Sequence, residues 1–148
     1  MLSRRLIEMI EDHAEELTSL TLNDLRTSPR TPSYHTLSAD QWRSRVYSVY
    51  RNLGNWLAEK TDAKIETWYR ALGEQRCDEG VALSEVIYAL ILTKKNLEGY
   101  VRNAGISDSA VELYRERELF HMLDYFFDRA MYYAAVGYEA RTVEARAS

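Results

Sequence analysis

The chain has 148 residues, 46% of them hydrophobic and 28% charged, with a net charge of -4; that length suits one domain with a real core. The acidic balance offers no broad positive field to a phosphate backbone, which removes nucleic acid from the expected partners. The single cysteine, Cys77, has no second thiol to pair with and no Cys/His companions at metal spacing, so packing in a reducing, cytoplasmic setting is expected.

Residues 2–25 carry Leu6, Ile10, His13, Leu17 and Leu20 at spacings of three and four, the stripe of an amphipathic helix. The acidic residues Glu8, Glu11, Asp12, Glu15 and Glu16 in the same stretch exclude a signal peptide. Both prolines, Pro29 and Pro32, fall in the following loop. A second helix over 39–60 opens with Ser38 as cap, Gln41 bonding back and Leu37 stapled to Trp42. Its face runs through Trp42, Val46, Val49, Leu53 and Trp56, so two tryptophans are expected in the core. A third helix, 62–78, presents Ile65, Trp68 and Leu72, and Gly80 beyond it suits the left-handed position that closes a helix.

A fourth helix over 84–103 starts with Ser84 as cap and Glu85 at its positive end. Val86, Leu90 and Leu97, widened by Ile87, Ile91 and Val101, make a face broad enough for a central helix. Gly105 ends it. The last helix spans 108–145 with Ser107 or Ser109 as cap. One stripe of it holds Leu119, Leu123, Phe126, Ala130, Tyr133 and Gly137, and a second holds Phe120, Phe127, Met131 and Tyr138. At about 50 Å it is longer than a compact domain of this size, so an end must project or pack on another chain. No segment alternates with period two, and no apolar run approaches the roughly 20 residues of a membrane span. The expected fold is all-α: five helices in a globin-like or bundle arrangement, the last one long.

Motifs for phosphate loops, serine nucleophiles, zinc or calcium are missing from the sequence. Three histidines remain to be weighed. His13 sits on an apolar stripe and His121 between the stripes of the last helix, the two positions from which a haem ligand would come; His35 lies in the proline loop and is expected to be solvated. Asp124 and Asp128, four apart, are the one pair that would serve a metal-dependent helical enzyme, though such residues more often meet cations on a polar face. Lys94 and Lys95 form a solvated patch, and Arg76 and Glu85, flanking the turn between the third and fourth helices, are placed to form an ion pair. Of the eleven tyrosines, Tyr114, Tyr125, Tyr132, Tyr133 and Tyr138 fall on the last helix, where an apolar ring with a hydroxyl suits a core rim or an interface.

Three stretches carry a resemblance. Residues 70–90 hold Gly73 and Arg76, then the run Gly80-Val81-Ala82-Leu83-Ser84-Glu85-Val86; residues 126–133 begin Phe126-Phe127-Asp128-Arg129-Ala130 and are followed by Gly137-Tyr138; residues 6–17 surround His13 with acidic groups. Together they resemble the N-terminal domain of RsbT co-antagonist (RsbRD-type) proteins. That family is similar to haem-free globin-like domains which serve as sensory inputs of stress-signalling proteins and stand at the front of some histidine kinases. The resemblance implies a non-enzymatic signal-input domain without a cofactor, homodimeric through Phe127, Met131 and Tyr138, with Arg76, Gly80, Ser84 and Glu85 shaping the central turn. Its partner would be a kinase or antagonist domain, and neither membrane nor nucleic acid is expected. No such output domain follows Ser148 in this sequence, which makes the chain a stand-alone member or a piece of a larger protein. The alternatives are a globin-like sensor of haem or a small ligand, with His13 or His121 as axial group, and the metal enzyme built on Asp124 and Asp128.

Overall fold

A computed structural model describes residues 4–38, 40–59, 61–104 and 109–147. Seven α-helices follow in order: α1 (Arg4–Asp12), α2 (Ala14–Thr27), α3 (Asp40–Arg51), α4 (Leu53–Leu57), α5 (Ala63–Asp78), α6 (Leu83–Asn103) and α7 (Ala110–Ala147), with a 3-10 turn at Pro32–His35 between α2 and α3. The described residues contain no strand, and no helix among them is long and apolar enough to cross a membrane.

Seven helices rather than five are found among the described residues, because the first two expected helices are each broken in two. At His13 the backbone turns to φ -107 and ψ 21, and at Asn52 to φ -115 and ψ 28. Both residues do the same thing: a side-chain donor reaches back to the carbonyl four residues earlier, His13 Nδ1 to Met9 O at 2.8 Å and Asn52 Nδ2 to Ser48 O at 3.3 Å. A side chain that competes for a helix carbonyl bends the helix there. The bends are stitched together, since the Gly54 amide, which opens α4, donates to Glu11 Oε2 at 2.9 Å.

Helix ends divide the capping expectations. Ser109 Oγ accepts from the Glu112 amide at 3.2 Å and so caps α7. Ser84 does not cap α6: the helix already begins at Leu83 behind an extended Ala82, and Ser84 lies exposed in its first turn. The expected roles of Gly105 and Ser107, and the bond-back of Gln41 at the start of α3, lie outside the described residues and side chains.

Trp42 and Trp56 are buried as the spacing predicts, and Leu6, Ile10, Leu53, Leu97, Leu119 and Leu123 complete the centre of the core. α6 packs against α1, α2, α5 and α7; on its broad face Val86, Leu90, Leu97 and Val101 are buried, whereas Ile91 points out at 41% exposure. The tightest crossing is α5 on α7. A Cβ built on Gly73 would overlap the Ala134 carbonyl oxygen, and one on Gly137 would overlap the Arg70 carbonyl oxygen. The two glycines therefore let the helix backbones touch.

A directional chain of hydrogen bonds crosses the core among α2, α3 and α6. Asn96 Nδ2 donates to Thr21 Oγ1 and to Asp24 Oδ2, both at 3.0 Å; Thr21 Oγ1 meets Tyr50 Oη at 2.7 Å; Tyr50 Oη donates to Thr93 O at 2.9 Å. Burial pushes the phenols of Tyr50 and Tyr69 well above their ordinary value of 10.0. A raised folded-state value leaves stability unaffected below the unfolded value and removes it as pH climbs above. Urea midpoints should hence stay flat to about pH 9.5 and then fall, each phenol contributing on the order of 1 kcal/mol per pH unit. Tyr50→Phe and Tyr69→Phe should each flatten that alkaline slope, which denaturation series on either side of pH 10 will measure.

Candidate functional site

α5 ends in a Schellman turn. Its two closing bonds run from Gly80 N to Cys77 O and from Val81 N to Arg76 O, both 3.0 Å, and Gly80 takes φ 78, the left-handed conformation expected of it. Arg76 sits at the base of this turn and is 1% exposed. Its guanidinium pairs with Glu79 at 2.7 Å, not with Glu85 as the spacing predicted. Glu85 faces the other way: Oε1 accepts from the Ser33 amide and Oε2 from the Ser33 hydroxyl, both at 2.7 Å. The reason is geometric, because the extended Ala82 turns the first turn of α6 toward the 3-10 turn, whose free amide needs an acceptor. Arg76 and Glu85 thus pin the central turn separately.

Arg76 also forms part of the wall of a half-open cavity of about 40 Å³ between α2, α3, α5 and α6. Arg45 enters the same cavity from α3, Tyr69 from α5, and Trp42 and Tyr34 lie beside them; Leu25, Val46, Val49 and Leu90 supply apolar wall. Among the described residues Arg45 bonds to two neutral acceptors, Trp68 O and Gln75 Oε1, each at 3.3 Å, and it stacks over the Trp68 ring. Burial and then the neighbouring Arg76 charge hold its guanidinium below the ordinary arginine value. Burial pushes the Tyr34 phenol up, opposed by Arg76. Trp42 Nε1, Tyr69 Oη and Arg76 Nε are buried polar atoms that find no hydrogen-bond partner among the described residues. No protein-family model, curated protein or solved structure matches this chain. Function therefore has to be read from these groups themselves.

Sequence reasoning reached Arg76 but missed Arg45, Trp42 and Tyr69 as a set. The signal was present. Arg45 stands at the inward position of the series Trp42, Arg45, Val46, Val49, and Arg76 continues the series Ile65, Tyr69, Leu72, so each cation occupies a place where the stripe predicts a hydrophobe.

The histidines lie elsewhere. None lines the cavity. His13 is bound to its own helix and packs 5.6 Å from the Tyr100 ring. His35 Nε2 bonds to Ser28 O at 2.8 Å, tying its loop together. His121 is exposed on the rim of an open groove that also involves Trp56, Met122 and Tyr125. The pocket at Arg45 and Arg76 holds only three or four water-sized groups at about 10–15 Å³ each, too little for a haem, whereas the groove beside His121 has about 330 Å³. Asp124 pairs with Lys94 at 2.7 Å, a bond that raises the Lys94 ammonium above its ordinary value; Lys94 is thus paired, not part of a free patch. Asp128 is exposed, and the described residues contain no group of three or more potential ligands around a metal.

On α7 the residues expected at an interface are not the exposed ones. Phe127 is 0% exposed and packs edge-on against Phe126 at 5.1 Å. It serves the chain's own core and cannot meet a partner. Met131 is half-buried against that core, and Tyr138 donates its hydroxyl to Val81 O at 2.6 Å, binding α7 to the turn after α5. The second stripe is therefore turned inward, because α5 and α6 together cover more than one stripe of so broad a helix. Left outside is another row: Tyr114, Tyr125, Tyr132 and Val143 are 66%, 50%, 62% and 64% exposed. At 100° per residue these four positions stay within about 20° of one line along the helix. Tyr125 is steadied at the base of the row, donating to Asp62 Oδ1 at 2.9 Å beneath the Arg129 guanidinium.

Proposed function

We propose that the chain is a non-enzymatic signal-input and dimerisation domain, similar to the N-terminal domain of RsbT co-antagonists, whose long last helix is both the contact with a second copy and the connector to an output partner. The observation that carries this reading is the exposed row Tyr114, Tyr125, Tyr132 and Val143. Large, rigid rings aligned along a helix are the kind of surface that interfaces use. α7 has 38 residues, about 57 Å at 1.5 Å each, and no residue of 110–118 or 139–147 is buried. The C-terminal stretch touches α5 through Arg141, which pairs with Glu74 and Asp78, and a stiff helix passes a shift or rotation to whatever it joins. A kinase or antagonist domain of a stress-signalling pathway is the proposed recipient.

Light scattering after gel filtration tests the dimer. The unmodified protein is expected at twice the chain mass, and Tyr114→Asp with Tyr132→Asp should weaken association at least 100-fold, about 2.7 kcal/mol, while circular dichroism stays helical. A monomer at high micromolar concentration would remove this reading. The small-ligand half of the alternative sensor reading is favoured by one specific feature, the arginine-lined cavity.

A further inference from the structure

We propose that the cavity between α3, α5 and α6 is a binding site for a monocarboxylate of two or three carbons, its carboxylate held by Arg45 and Arg76 and its alkyl end against Val49 and Leu90. The inference deepens the signal-input reading and rests on it for the consequence of binding, though the site itself stands on geometry. Four features converge.

Three of the seven buried polar atoms without partners among the described residues belong to residues that border the cavity, and each of the three can donate. Trp42 Nε1 and Arg76 Nε have no acceptor capacity, and Tyr69 Oη has a proton to give. Trp42 and Arg76 are 1% exposed and Tyr69 2%; all three residues border the cavity, and the three unpartnered atoms have almost no accessible surface of their own, so a ligand would reach them only with a small shift of these side chains. Native proteins rarely leave buried donors unmet. The ligand that answers them is an acceptor.

Charge points to an anion. Glu79 is committed to Arg76 and Glu85 to Ser33, whereas Arg45 is bound, among the described residues, by an amide oxygen and a backbone carbonyl. A guanidinium that is part-buried beside another gains most from a carboxylate, whose two oxygens match its planar fork.

Size and lining narrow the class. About 40 Å³ admits three or four water-sized groups, the size of acetate. Much of the wall is hydrocarbon from Val49, Leu90 and their neighbours, which gives an alkyl group a place that a phosphate or sulfate oxygen would not tolerate.

The site is also connected. α5 contributes Tyr69 and Arg76 and carries Gly73, whose backbone touches α7. A small movement of α5 around the ligand is passed to α7 by direct backbone contact.

The test is a titration of the uniformly ¹⁵N-labelled protein followed at the three tryptophan indole N–H signals, using sodium acetate, propionate and butyrate against sodium chloride at equal ionic strength. Acetate and propionate should shift the Trp42 signal saturably, with a dissociation constant near about 1 mM, the range open to a ligand of four or five non-hydrogen atoms. Trp56, which lies outside the cavity, should not follow it. Butyrate should bind more weakly. Arg45→Gln should raise the constant at least tenfold and Arg45→Lys less; Tyr69→Phe, which keeps the ring and removes the hydroxyl, should raise it severalfold, so that a folding defect in one variant does not decide the matter. No saturable shift with any acid, an equal shift from chloride, or an unchanged constant in folded Arg45→Gln overturns the site. Light scattering on the same samples separates the two proposals: a dimer that shows no shift sinks the site alone, and a monomer that binds acetate sinks the dimer while keeping the site.

Discussion

Gly137→Leu is expected to destabilise the chain by about 3 kcal/mol or more, and Gly73→Leu by a similar amount. Each side chain would have to occupy the space of a backbone carbonyl on the facing helix, Arg70 O for position 137 and Ala134 O for position 73. Backbone cannot swing aside as a flexible side chain can. The crossing must open, and opening it uncovers Leu72, Phe126 and Ala130, which are buried around it. Gly99→Ala is the matched control: a Cβ there meets nothing within 4 Å, and alanine in place of a helical glycine should be neutral or stabilise by up to about 1 kcal/mol. Urea unfolding followed at 222 nm reads all three. If Gly137→Leu unfolds at the wild-type midpoint, the close approach of α5 and α7 is wrong.

Phe127→Asp should cost more than about 4 kcal/mol and leave a largely unfolded chain, because it puts an unpaired carboxylate where the ring is 0% exposed. The same substitution at Tyr132, 62% exposed, should leave the thermal midpoint within about 3 °C of wild type when both are compared as dilute monomers, the shift that a fraction of 1 kcal/mol produces at this size. These variants sit five residues apart on one helix and separate folding from association. Circular dichroism melts distinguish them: comparable melts for the two would place Phe127 on the surface and return it to the interface.

The contrast explains what periodicity reads well and where it stops. Stripes of three-four spacing located the helical stretches, since burying one face is a local consequence of which side chains lie on it. They did not tell which of two adjacent stripes on α7 meets the chain's own α5 and α6. Phe127 and Tyr132 are both aromatic, and only the positions of neighbouring helices assign one to the core and the other to the exposed row. The breaks at His13 and Asn52 were missed for a similar reason: each depends on a side chain choosing a carbonyl of its own helix, and the stripes on either side continue without a phase error large enough to notice. Ser84 failed as a cap because the chain before α6 arrives extended at Ala82, two residues before the expected cap.

The cavity was half legible. Arg45 and Arg76 each interrupt an apolar stripe, a conflict between residue type and position that marks a site where burial serves something other than packing. Their meeting was not legible, because positions 45 and 76 belong to different helices, and nothing local sets the distance between them.

Helix content, the places where helices end at proline and glycine, and the burial of Trp42 and Trp56 follow from the order of residues alone, because capping, backbone freedom and amphipathic spacing act within a few residues of each other. Which faces are covered, which carboxylate answers which arginine, and the convergence of Trp42, Arg45, Tyr69 and Arg76 on one small chamber were decided only when the helices packed. Those outcomes depend on distances between segments far apart in the chain, and the energy that sets them is shared across the whole core.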